Sequence, residues 1–396
     1  MSQILRHVIR RYSLNNTKPN SLSVWLTKDS NSASKDNKLA PTNIGLEEEI
    51  HQAFTSIYRQ IVKDCFPRNW DDELTDVITR FDKLCNHAEA NRTLYASPTL
   101  INAYRVLADK SQLTSKNMEL TYILAWCFEL GLLSLCLLDD FLDEEKIRWR
   151  KPTWHTLPNI GVTVVADIKL VHDAAWILLK KHFKNHPSYA ALSNLLTDCI
   201  VKTCYGQTID SNAVSDFKDK RDVNVISMNT YESLVKYKAG YCVFKHPTLA
   251  AMYLDNNIDY NTIKTFEKSL DKFTIQTQAS NDMLDCYGNY NTFCRIGKDI
   301  ENGKCTWLSA TAVKHASQNQ LELFLKNYGK KEVQCQEIVK NIYKEIGIID
   351  KYKKFKSDMI RELDKDMQSI PDPRLHHLMQ ILVDTYINAD EDFINN

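Results

Sequence analysis

Acidic side chains gather at two places in this 396-residue chain, in a spacing that suits metal-assisted phosphate chemistry. The first is Asp139-Asp140-Phe141-Leu142-Asp143, with Glu144 and Glu145 behind it, at the end of a strongly apolar run. Helical residues four apart share a face, so Asp139 and Asp143 point their carboxylates at one spot a turn apart. Like charges so placed repel, and a hard divalent cation with oxygen ligands removes that cost. Mg2+ suits the role, since it takes one or two carboxylates and completes its shell with water and phosphate oxygens. The second place runs from Asn281 through Asp282 and Asp285 to Asn289. There Asn281, Asp285 and Asn289 fall on one helical face. Opposed across a helical core, Asp139, Asp140, Asp143, Asn281, Asp282 and Asp285 form an expected metal set with a diphosphate as remaining ligand. Either motif alone is weak, because acidic helix ends are ordinarily just solvated.

Cations stand near both motifs. Arg148, Arg150 and Lys151 follow the first, Lys236 and Lys238 lie between the two, and Arg295, Lys298 and Lys304 follow the second. Such groups suit the phosphate oxygens that metals leave free.

The elements that must hold these residues read as helices. The chain has only 10 Gly and 10 Pro, and its apolar residues recur at helical spacing. The spacing predicts helices over 47–63, 74–85, 98–109, 117–143, 164–183, 189–203, 229–253, 260–287, 304–315 and 318–328, and two or three more to the end. No stretch alternates persistently enough for a sheet. The fold expected is all-α, a single large helical bundle over 44–396. Residues 1–43 form a leader and linker, whose Arg6, Arg10 and Arg11 precede the first acid at Asp29. That pattern resembles a mitochondrial targeting leader, or else is a merely disordered tail. Tyr122 to Leu138 is apolar, but Glu129 interrupts it, so a helix buried in a core is expected rather than stable membrane insertion. Lys plus Arg and Asp plus Glu balance at 50 each, so no global field would hold nucleic acid. The 11 Cys show no CxxC pair, which points to reduced thiols in an intracellular compartment, cytoplasmic or mitochondrial.

Taken together, the motifs resemble the trans-isoprenyl diphosphate synthases, and farnesyl diphosphate synthase in particular. The likeness runs from about residue 45 to 380 and is carried by DDFLDEEKIRWRKPTW from Asp139, by Lys236-Tyr237-Lys238, and by the stretch from Gln278 to Trp307. It implies the class I isoprenoid synthase bundle, a homodimer, a prenyl diphosphate substrate and Mg2+, three ions per site. It also implies that Asp139, Asp143, Lys238, Asn281 and Asp285 act in catalysis. Arg148, Lys238, Gln278, Arg295 and Lys304 would bind the allylic diphosphate.

The second, metal-free diphosphate site of that family looks emptied. Thr93 and Ala96 stand where the family has Lys and Arg, Trp149 replaces an Arg, Leu132 replaces a Gln, and the basic C-terminal tail is missing. A charge-assisted hydrogen bond is worth about 1.5–3 kcal/mol, so three losses would remove on the order of three to six decades of affinity. The chain then resembles insect terpene synthases derived from farnesyl diphosphate synthase. The expected reaction is a lyase one: Mg2+-dependent ionisation of a farnesyl-length diphosphate, giving a sesquiterpene. Ser134 and Leu135, where bulky aromatics are common, favour that length, and Phe128, Tyr104, Tyr241, Phe244 and Phe273 are candidates to stabilise the cation. The alternatives are a chain-elongating prenyltransferase whose second site uses Arg92 or Arg150, and a non-catalytic partner subunit.

Overall fold

A computed structural model describes residues 52, 54–66, 72–89, 96–148, 151–255, 257–288 and 297–387. The leader and linker expected over 1–43 lie outside them, as do Arg92, Thr93, Trp149, Arg150, Asn289 and Arg295. The described chain is a succession of helices, as expected. They are α1 Tyr58–Cys65, α2 Thr75–Glu89, α3 Ala96–Leu107, α4 Ser115–Leu142, α5 Val164–Phe183, α6 Tyr189–Lys220 and α7 Met228–Leu234. A π-helical segment, Val235–Lys245, follows. Then come α8 His246–Asp255, α9 Tyr260–Tyr287, α10 Asp299–Asn302, α11 Trp307–His315, α12 Gln318–Asn327, α13 Val333–Glu345, α14 Ile348–Gln368 and α15 Pro373–Tyr386. Among the described residues the strands are β1 Ile147–Arg148 and β2 Lys151–Pro152, an antiparallel pair that sets Arg148 opposite Lys151.

Two apolar clusters make the core. One gathers α3, α4, α5, α8 and α15 with the first half of α6 and of α9, and the other joins α7, α11, α13 and the start of α14. Helix α4 lies in the first and packs most extensively on α5. The Thr114 hydroxyl accepts from Asn117 N–H to start it. At its far end Asp143 closes the helix and Glu144 turns left-handed, with φ 51°, so that Glu145 N–H reaches back to the Asp140 carbonyl at 2.9 Å. This helix is long and apolar enough to cross a membrane, yet 78% of its most apolar 18-residue window is buried inside the protein. The core-helix expectation for Tyr122 to Leu138 therefore stands.

The helix expected over 74–85 runs on to Glu89, that expected over 47–63 includes α1 at Tyr58–Cys65, and two further differences are larger. Helix α6 does not stop near Thr203 but runs to Lys220. Its second half is rich in Asp, Ser and Asn, which masks a buried stripe of Thr203, Gly206, Gln207, Asp210, Ala213 and Phe217 at three- and four-residue steps. The single helix expected over 229–253 is instead α7, the π-helix and α8. Periodicity alone cannot report a one-residue widening of the turn.

Glu129 explains itself through geometry. It is fully buried in the middle of α4, and its Oε2 accepts the backbone N–H of Ser97 at 2.9 Å. Ser97 is in the first turn of α3, where helix N–H groups lack partners and a negative charge is favoured. Glu129→Ala should therefore destabilise the protein by about 2–3 kcal/mol, read as a lower urea midpoint, whereas an exposed control such as Glu322→Ala should change it little.

Candidate active site

The seam between the two apolar clusters holds a cavity of about 280 Å³. The last turns of α4 bring Asp139 and Asp143 to one wall, α6 and the π-helix bring Asp210 and Lys238, and α9 brings Gln278, Asn281 and Asp282. Lys304 enters from the connection between α10 and α11, and Arg148 from β1. Leu135, Cys136, Cys242 and Val243 give the cavity an apolar side.

Charge pairing organises the polar side. Lys238 Nζ lies 3.0 Å from Asp139 Oδ1 and 2.5 Å from Asp210 Oδ2. Lys304 Nζ lies 2.9 Å from Asp143 Oδ2 and 2.9 Å from the same Asp210 oxygen. Arg148 donates from Nη2 to Asp139 Oδ2 at 2.8 Å and from Nε to Asp140 Oδ1. Thus Asp210, which the sequence reading missed, ties together two cations that face the first acidic motif. Its signal was present in the Thr203-to-Phe217 stripe, where a lone acid at a buried step needs a partner.

Burial alone would raise Asp139 and Asp210, but the neighbouring cations outweigh it and hold both carboxyls below their usual range. Burial alone would lower Lys238 and Lys304. Asp139 and Asp210 outweigh it for Lys238, and Asp210 and Asp143 do so for Lys304, so both ammoniums titrate above an ordinary lysine. Asp140 behaves otherwise: burial pushes it up to about 7 in spite of Arg148.

The second motif is arranged differently from the first. Asn281 is buried and lines the cavity. Asp282 has both oxygens engaged, Oδ1 by Gln278 Nε2 at 2.7 Å and Oδ2 by Trp307 N–H at 2.8 Å, and burial pushes it up to about 7. Gln278, expected on the diphosphate, thus orients Asp282 in this arrangement. Asp285 is buried and accepts the Asp299 backbone N–H at 3.1 Å, while the side chain at the cavity wall there is Asp299. Lys298 pairs with Glu145, 3.2 Å away. Arg295 lies outside the described residues. Of the aromatic candidates, Phe128, Tyr104, Tyr241, Phe244 and Phe273 are all buried core, with Phe244 packed edge-on against Phe273 at 5.0 Å, and Tyr231 is the aromatic at the cavity.

No group of three or more His, Cys, Asp or Glu side chains among the described residues converges into a self-contained metal cage. The donor set nevertheless fits Mg2+. Asp139 and Asp143 set carboxylate oxygens at the cavity wall, and Mg2+ ordinarily needs only one or two carboxylates beside substrate phosphates.

Residues 92–346 match the family described as polyprenyl synthetase. Among curated proteins, the chain is 28% identical to a farnesyl pyrophosphate synthase of Nezara viridula over 83% of this chain and 80% of that one. It is 26% identical to a geranyl diphosphate synthase of Ips pini over 78% and 76%, respectively. It is also 28% identical to the mitochondrial farnesyl pyrophosphate synthase 1 of Arabidopsis thaliana over 80% and 82%. These findings bear out the likeness to trans-isoprenyl diphosphate synthases and overturn the terpene-synthase expectation, since the relatives are named for making prenyl diphosphates. That expectation read four replaced positions as a lost site. Two of them, Thr93 and Trp149, sit next to the arginines Arg92 and Arg150 in sequence. With a bundle, a charged cavity and a family match that all coincide, the chain is an enzyme of the isoprenyl diphosphate synthase group and belongs to the polyprenyl synthetase family.

Proposed function

We propose that this enzyme elongates prenyl chains: it ionises an allylic prenyl diphosphate and joins the resulting cation to a homoallylic diphosphate. The observation that carries the reading is the pairing of two lysines and an arginine with the first acidic motif, above a cavity whose other side is apolar. The names of the relatives support it.

In this reading Asp139, Asp143 and Asn281 at the cavity wall hold Mg2+, Asp285 joins them by releasing the Asp299 N–H, and Asp140 and Asp282 orient the groups beside them. Bound Mg2+ would polarise the diphosphate oxygens and favour their departure. Arg148, Lys238 and Lys304 bind the same diphosphate, together with Arg295, while Gln278 holds Asp282 beside it. The lysines are already gathered on Asp210, so substrate exchanges one anionic partner for another and leaves no ammonium isolated in the cavity. Their charge is greatest in value as the carbon–oxygen bond breaks, because the leaving group is then most negative. Leu135, Cys136, Cys242 and Val243 keep water from the allylic cation. The homoallylic double bond then attacks, a carbon–carbon bond forms, and diphosphate and a proton are released. Arg92 or Arg150 serves the second diphosphate. Residues 1–43 are read as a mitochondrial leader or else a disordered tail, and the relatives include one named mitochondrial beside others that are not.

The test is direct. Purified full-length protein with Mg2+, geranyl diphosphate and isopentenyl diphosphate should yield a longer prenyl diphosphate by mass spectrometry, and a chelator should abolish it. Consumption of the allylic substrate without a longer product would overturn the reading.

Asp210 gives a second check, on stability. Asp210→Asn leaves Lys238 and Lys304 without the charge they share, which should destabilise the unliganded protein by about 2–4 kcal/mol near neutral pH, seen in urea unfolding. The sign with pH follows from the depressed carboxyl. The wild-type contribution is fully present above the ordinary carboxylate range and fades as pH falls through the lower folded value. Asp210→Asn should accordingly lose less stability than wild type on acidification below about pH 4.

A further inference from the structure

Gly206 lies one helical turn before Asp210 on α6, on the stripe that faces the π-helix. A Cβ placed there would sit 2.2 Å from the backbone N of Lys238, 2.5 Å from its Cα and 2.6 Å from the carbonyl carbon of Tyr237. These are main-chain atoms, so no side-chain rotation relieves the overlap. The other described helical glycines differ. Gly131 would meet only the flexible tips of Ile200 and Leu196, at 3.2 Å and beyond, and Gly240 would meet Thr274 Cγ2 and the Val235 carbonyl oxygen at 3.2 Å.

Lys238 must satisfy two elements at once, Asp210 on α6 at 2.5 Å and Asp139 on α4 at 3.0 Å. Its ammonium can span them because its own Cα rests against α6 with no side chain in between. Pushing the π-helix off α6 moves that Cα away from Asp210 and swings the ammonium away from the first acidic motif. We propose that Gly206 is a positioning residue for the reaction: its missing side chain seats the π-helix backbone on α6 and so sets where the Lys238 charge meets the diphosphate. The inference rests on the reading of Lys238 as a diphosphate ligand, and the experiment separates the two.

Calorimetric affinity for inorganic pyrophosphate in the presence of Mg2+ is measured for wild type, Gly206→Ala, Lys238→Ala, the double variant and Gly131→Ala. Gly206→Ala should bind on the order of tenfold more weakly, as loss of one charge-assisted contact predicts, and Gly131→Ala should bind like wild type. In the Lys238→Ala background Gly206→Ala should add almost nothing, because two substitutions acting through one contact are not additive. Wild-type affinity in folded Gly206→Ala, or full additivity in the double variant, overturns the proposal. If Lys238→Ala itself binds pyrophosphate normally, the ligand role of Lys238 falls and the proposal falls with it. Should Gly206→Ala not fold, Lys238→Arg decides. A guanidinium on the same fixed backbone reaches a different point, so affinity should again drop on the order of tenfold with melting unchanged, and unchanged affinity overturns the proposal.

Discussion

Asp210 is shared between two lysines, and the polar half of the cavity is built around that sharing. Two ammonium groups brought to one carboxylate oxygen repel each other, and Asp139 and Asp143 on the opposite wall offset that repulsion. None of these five side chains, Asp210 buried and the rest half-buried, is stable there alone, since a charge withdrawn from water without a partner costs up to several kcal/mol, by order of magnitude. Helices α4, α6 and the π-helix must therefore converge together, along with the connection that carries Lys304. The geometry that makes the apolar clusters close also decides whether the charges balance. A charge network of this kind is already organised to receive an anion, because its cations are held in place before any phosphate arrives.

Regular structure and its interruptions divide the labour. Long helices carry the carboxylates, whose spacing needs only a helical repeat. The cations come from irregular places: Lys238 from a π-helix, Arg148 from a two-residue strand, and Lys304 from a short connection. Wider turns and short loops aim side chains in directions that a straight helix face does not offer.

This division explains what could be read from the sequence. The acidic motifs, the all-helical class and most helices were legible, because four-residue spacing and apolar periodicity are local properties. Asp139, Asp143, Arg148, Lys238 and Lys304 do come together, and each was singled out by residue type beside a motif. Asp210 was not, because the polar second half of α6 hid its buried stripe. Nor was the engagement of Asp282 by Trp307 and Gln278, which depends on a contact across 25 residues. Function was misread for a related reason. The second diphosphate site was judged position by position, from the residue types at Thr93, Ala96, Leu132 and Trp149 alone, and replaced residue types do not by themselves report which reaction the relatives are named for.

Helix α4 carries a consequence for biosynthesis. While the chain emerges from the ribosome, α5, α6 and the π-helix are not yet made, and a segment apolar enough to span a bilayer is briefly without its partners. Glu129 stands near the centre of that segment, where an acidic side chain opposes lateral transfer into lipid by about 2.5–3.5 kcal/mol. The carboxylate that accepts the Ser97 N–H in the folded bundle is thus also the group that lowers this segment's preference for lipid before its later partners are made.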